Sequence, residues 1–125
     1  MSAPRSVLFV DDDPDIRFIA EIALSRVGGL RTTVADSAEE ARRQLAKELP
    51  DVVLLDVTMP ECDGPTFLQE LKSTPGMEDL RVIFITARTA LDEVQGYLSL
   101  GAAGVLAKPF DPMTLSRRLG EMLGW

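Results

Sequence analysis

Five short apolar runs, set at regular intervals between helix-patterned segments, constrain this chain more than any other feature. They are Val7-Leu8-Phe9-Val10, the weaker Thr33-Val34-Ala35, Val52-Val53-Leu54-Leu55, Val82-Ile83-Phe84-Ile85 and Gly104-Val105-Leu106-Ala107. Unbroken apolar runs, as opposed to alternating ones, describe strands covered on both faces, the condition of a parallel sheet. The segments between them carry helix start and stop signals. Asp13-Pro14 is an N-cap followed by proline at the first helical position; Ile16, Ile19, Ala23 and Val27 then recur at helical spacing until Gly28-Gly29. Ser37-Ala38-Glu39-Glu40 fits a capping box, with Ala41, Leu45 and Leu49 as the apolar stripe and Pro50 as the stop. Pro65 opens a third helix with Phe67, Leu68 and Leu71 inward. Val94, Tyr97 and Leu98 suit a fourth, ending at Gly101, and Asp111-Pro112 repeats the cap-plus-proline device ahead of Leu115, Leu119 and Met122. The rhythm is strand-helix, five times over, and predicts an open parallel α/β sheet with helices on both faces. No linker, low-complexity stretch or internal repeat interrupts it, so residues 1–125 are expected to form one domain with no second domain after the last helix.

Charge and rare residues exclude several function classes. The net charge of −7 and the lack of any Lys/Arg-rich run argue against direct DNA binding. One cysteine, Cys62, forms no internal disulfide and suits a reducing compartment. Met1-Ser2-Ala3-Pro4-Arg5 has no signal-peptide core, and no apolar stretch is long enough to span a bilayer, so a soluble cytoplasmic protein is expected. The chain has no histidine, which removes Ser-His-Asp and Cys-His nucleophile systems and His-ligated zinc. Carboxylates, hydroxyls and amines remain.

Those groups stand where a parallel sheet uses them. Ligands bind outside the carboxyl ends of the strands. Asp11 and Asp12 follow the first run and Asp56 the third, Thr86 ends the fourth, and Lys108 follows the fifth. In the flavodoxin-like strand order 2-1-3-4-5 the first and third strands are neighbours, which brings Asp11, Asp12 and Asp56 together. Three carboxylates in one cleft either protonate or hold a cation, and an oxygen-only donor set favours Mg²⁺, with Mn²⁺ second. A carboxylate beside such an ion can act as nucleophile toward phosphorus. The Lys108 ammonium would add positive charge and the Thr86 hydroxyl a hydrogen bond to a phosphoryl oxygen.

With Val10-Asp11-Asp12-Asp13, Leu55-Asp56-Val57-Thr58-Met59-Pro60, Asp63-Gly64, Ile85-Thr86-Ala87 and Lys108-Pro109-Phe110 in this order, the chain resembles the response-regulator receiver family of two-component signalling along essentially its whole length. The resemblance implies a phosphoacceptor role for Asp56, a direct metal ligand at Asp12 with Asp11 as its water-bridged neighbour, and the Thr58 backbone carbonyl as a further ligand. It implies a switch hydroxyl at Thr86, a pairing lysine at Lys108 and a cis Lys108-Pro109 peptide. It also implies a histidine kinase or histidine phosphotransfer protein as donor, slow self-hydrolysis instead of turnover, and an output protein meeting the surface of the fourth helix, fifth strand and fifth helix, as a monomer or a phosphorylation-dependent homodimer. Two departures from the pattern stand out, the second covering two positions. Val105 stands where many receivers carry Tyr or Phe three residues before the lysine, and Thr58 and Arg88 occupy the two positions that flank the path of attacking water.

Blander readings exist for each residue alone. An Asp pair before a helix is commonly a turn, Asp56 a strand end, Thr86 a strand former and Lys108 a solvated amine. Glu61 and Asp63 read as loop polarity and helix-start chemistry, and Tyr97 as either half-buried or partner-facing. Two other functions compete. A phosphatase of the haloacid-dehalogenase type would place a second Asp where Thr58 stands and needs room for a cap domain. A degenerate receiver would act as a constitutive docking module, a reading that Val105 supports and the complete acidic set opposes.

Overall fold

The computed structural model describes residues 5–125; the reading of the first four residues as lacking a signal-peptide core lies outside them. The elements follow the expected alternation: β1 Ser6–Val10, α1 Pro14–Glu21 continued by a π-helical segment Ile22–Val27, β2 Arg31–Ala35, α2 Ala38–Lys47, β3 Val52–Asp56, α3 Gly64–Lys72, β4 Arg81–Thr86, α4 Leu91–Ser99, β5 Gly104–Ala107 and α5 Leu115–Leu123. The five strands form one sheet in the order β2-β1-β3-β4-β5, every pairing parallel. β3, central in the sheet, is buried along its whole length. Its Val52 and Leu54 face one apolar core and its Val53 and Leu55 the other, the two-residue period of a strand sandwiched between helical layers. None of the helices among the described residues is long and apolar enough to cross a membrane.

Local chemistry sets the helix starts. Asp13 accepts hydrogen bonds from the Asp15 and Ile16 amides at 2.9 and 3.4 Å, with Pro14 next to it. Ser37 accepts from the Glu40 amide at 3.1 Å, while the Glu40 carboxylate reaches back to the Asp36 amide at 3.0 Å, one residue earlier than a strict capping box would take it. Asp63 caps α3 through the Thr66 amide at 2.8 Å, and hydrogen bonding from Thr66, by its side chain first and its amide second, holds the carboxyl below the usual aspartate range.

Several inward faces differ from the sequence expectation. In the first helix the buried residues are Ala20, Ala23 and Leu24, whereas Ile19 is 39% and Val27 42% exposed. The π segment accounts for Val27: Gly28 N–H bonds the Ala23 carbonyl, five residues back, and the wider turn rotates the residues after Ile22 around the axis, whereas Ile19 precedes the segment and lies on the outer side of regular α1. Leu49 leaves the α2 stripe, at 45% exposed, because Glu48 adopts extended backbone and ends the helix first. On α5 the third inward position is Leu123; Met122 lies at the rim over Gly104. Asp111-Pro112 opens a turn, not the helix itself: the Asp111 carboxylate accepts the Met113 amide and its carbonyl accepts those of Thr114 and Leu115, where α5 begins. On α4, Val94 and Tyr97 are half-buried and Leu98 is exposed.

Candidate functional site

The register of the sheet aligns the polar strand ends. Val10 of β1 pairs with Leu55 of β3, so Asp11 and Asp56 are the next residues along neighbouring strands, and Thr86 of β4 pairs with Ala107, immediately before Lys108. Carboxylate oxygens of Asp11, Asp12 and Asp56 all lie within 4.8 Å of one another. Asp11 and Asp56 are buried and Asp12 is exposed at the mouth.

Specific contacts hold the side chains of Asp11, Asp56, Thr86 and Lys108. Asp11 Oδ1 accepts the Asp13 amide at 2.9 Å, so the residue that caps α1 also orients the acidic pair. The Arg17 guanidinium donates to the Asp11 backbone carbonyl at 2.8 Å. Lys108 Nζ donates to Asp11 Oδ2 at 2.8 Å and lies 3.5 Å from Asp56 Oδ2. The Thr58 amide donates to Asp56 Oδ1 at 3.3 Å. The Thr86 hydroxyl, buried at the end of β4, accepts the Arg88 amide at 3.0 Å. The peptide between Lys108 and Pro109 is cis, as the resemblance implied. Thus Asp11, Asp12, Asp56 and Lys108 converge on one pocket, while the Thr86 hydroxyl is engaged with its own loop.

The electrostatics follow from this crowding. Burial pushes the Asp56 carboxyl above the usual aspartate range, and the Asp11 charge pushes it further against the pull of Lys108. For Lys108 burial works downward, yet the hydrogen bond and charge of Asp11, joined by those of Asp56, lift the ammonium above the ordinary lysine value. One lysine thus faces three carboxylates, and an oxygen-only cluster with surplus negative charge fits a hard divalent cation.

One participant escapes sequence reading, and another is named there only as part of a motif. Arg17 reaches Asp11 across one turn of helix, which nothing in its local sequence signals except its place four residues after the cap. Gly64 is needed because α3 starts against β3: a Cβ there would lie 2.9 Å from the Asp56 carbonyl oxygen and 2.9 Å from the Phe84 ring.

The model of the response regulator receiver domain matches residues 7–120. Response regulator Rre1 of Synechocystis is 38% identical over 98% of this chain and 53% of its own length. Among solved structures, chemotaxis protein CheY4 of Vibrio cholerae superposes with a TM-score of 0.88 at 30% identity, covering 96% of this chain and 99% of that one. The signal receiver domain of a signal transduction histidine kinase from Syntrophus aciditrophicus superposes with a TM-score of 0.81 at 28% identity, covering 96% and 90%. The chain spans about half the length of curated relatives such as Rre1.

Proposed function

The chain belongs to the response regulator receiver family, and from that premise we propose that it is a phosphoacceptor switch whose acceptor is Asp56. The single observation that carries this reading is the convergence of Asp11, Asp12 and Asp56 within 4.8 Å, with Lys108 bonded into the same pocket. Asp56 is a buried carboxylate at the end of the central strand β3, and Lys108 lies 3.5 Å from its Oδ2 against 2.8 Å from Asp11 Oδ2, so Asp56 is the less tightly paired of the two buried carboxylates. In the proposed step an Asp56 oxygen bonds to phosphorus while the bond from phosphorus to the donor's imidazole nitrogen breaks, and the electron pair leaves with the imidazole. The donor is a histidine kinase or a histidine phosphotransfer protein.

Asp11 and Asp12, with Asp56 and the Thr58 carbonyl, would hold Mg²⁺. When bound, that ion supplies the positive charge which three carboxylates and a phosphoryl group require. Lys108 then moves its weight from Asp11 toward Asp56 and the phosphoryl oxygens. Thr86 gives up its bond to the Arg88 amide in order to donate to the same oxygens. The modified domain acts by protein contact within the cytoplasm, phosphorylation biasing two packings already in equilibrium. Residues 1–125 are proposed as one receiver unit, and membership of this family displaces the phosphatase reading.

The test is chemical mapping. After treatment with acetyl phosphate and Mg²⁺, borohydride reduces an aspartyl phosphate to homoserine; peptide sequencing by mass spectrometry is expected to find homoserine at position 56 alone. Reduction at another aspartate, or at none in a chain that gained phosphate, would assign the acceptor elsewhere.

A further inference from the structure

The α4 helix is held to the molecule by remarkably little apolar contact for its length: it has no fully buried residue, and Leu91 and Leu98 are exposed. Among the described residues, Tyr97 is the one α4 side chain that packs into either apolar core. It packs edge-on against Phe84 of β4, ring centroids 5.1 Å apart and planes at 62°. Phe84 is wholly buried, and its ring lies close to the start of α3, where a Cβ on Gly64 would fall 2.9 Å from it; the Gly64 amide in turn bonds the carbonyl of Val57, the residue after Asp56, at 2.8 Å. Two residues beyond Phe84, on the same face of β4, is Thr86. Val105, the register partner of Phe84 on β5, has no ring to compete for that contact.

We infer that Tyr97, through Phe84, is the side chain by which the state of the acidic pocket reaches α4, so that phosphorylation alters how firmly this helix is docked. The inference rests on the phosphoacceptor reading above and adds its output. The physical warrant is that the pocket turn, the Phe84 ring and the Tyr97 ring are in series, with no second apolar anchor on α4. A shift of β4 at Thr86 or of the turn at Gly64 displaces Phe84, and edge-to-face packing depends on ring position. A closely packed interior passes such a displacement on instead of absorbing it.

Tyr97 is the chain's single tyrosine, so fluorotyrosine labelling gives one fluorine resonance. That resonance is expected to move on addition of acetyl phosphate and Mg²⁺, in proportion to the phosphorylated fraction read by intact mass, and to stay in place in Asp56→Asn. In parallel, Tyr97→Leu removes the ring. Hydrogen exchange of amides 91–99 is expected to be about five-fold faster in that variant, the equivalent of about 1 kcal/mol of docking, and to lose its response to phosphorylation. Tyr97→Phe restores the response, and phosphoryl uptake is unchanged in both variants. A chain that gains phosphate while the resonance stays still, or a Leu variant whose α4 responds as the wild type does, overturns the inference and leaves the acceptor reading standing. A wild type that takes no phosphate overturns both.

Discussion

At the scale of single residues the pocket is a balance of charge. Asp56 is pushed above its ordinary pKa by burial first and by Asp11 second, so in the folded chain its ionised form is disfavoured. The resulting stabilisation is fully present below the ordinary aspartate pKa and is lost as pH rises through the raised folded value. At neutral pH and without divalent cation, Asp56→Asn is therefore expected to unfold at a higher temperature than wild type. The difference should shrink as pH falls into the ordinary aspartate range and shrink again on adding Mg²⁺; calorimetry in EDTA and in Mg²⁺ reads both. A less stable Asn variant in EDTA would show that Lys108 outweighs burial and Asp11. Arg88 makes a second residue-scale prediction. Its amide bonds the Thr86 hydroxyl and the residue is exposed; the hypothesis is that its guanidinium shields the phosphoryl group. Arg88→Ala is expected to speed loss of phosphate by several-fold, followed by mass after donor removal; an unchanged rate would refute shielding. The acidic residues, Thr86 and Lys108 were legible in the sequence because each follows an apolar run directly. Arg17 was not, and Gly64 was visible as part of a motif but not for its reason, because that reason is the close approach of α3 to β3 and to the Phe84 ring.

At the scale of elements, strand positions were legible and helix faces less so. Buried strands announce themselves by unbroken apolar runs, and β5 spans the residues expected of it, Gly104–Ala107. In the first helix the expectation for Val27 failed because spacing arguments assume a uniform turn, and the π segment changes it at Ile22. That segment ends at Gly28, where a Cβ would fall 2.5 Å from Ser116 Cβ of α5 and 2.8 Å from the Leu24 carbonyl. Gly28→Ala is expected to cost about 1–3 kcal/mol by overpacking the contact between the π segment and α5. Gly96, inside α4, has open space around its missing Cβ, and Gly96→Ala is expected to stabilise by about 0.5–1 kcal/mol. Urea unfolding of the two variants should move in opposite directions. Movement in the same direction would mean that close approach at Ser116 does not limit this packing.

At the scale of the whole molecule, the sheet order makes the site. β1 and β3 are neighbours only because the chain crosses over after β2, and that crossing sets Asp11 and Asp12 beside Asp56. The βα rhythm made the parallel sheet legible; the order itself was assumed from the flavodoxin-like pattern, and the observed sheet follows it. The distances were not: that Lys108 bonds Asp11 more closely than Asp56 is a property of side-chain packing. The central claim, that this pocket takes a phosphoryl group on Asp56 in a reaction needing a divalent cation, is tested most directly by intact mass. The chain would be incubated with acetyl phosphate in Mg²⁺ and in EDTA, beside Asp56→Asn. The account predicts a gain of one phosphoryl group that requires Mg²⁺, is absent from the Asn variant and decays with time. A gain that persists in EDTA or in Asp56→Asn, or no gain from acetyl phosphate or a histidine phosphotransfer protein together with no Mg²⁺ binding, would contradict it; the latter would leave a constitutive docking module as the function.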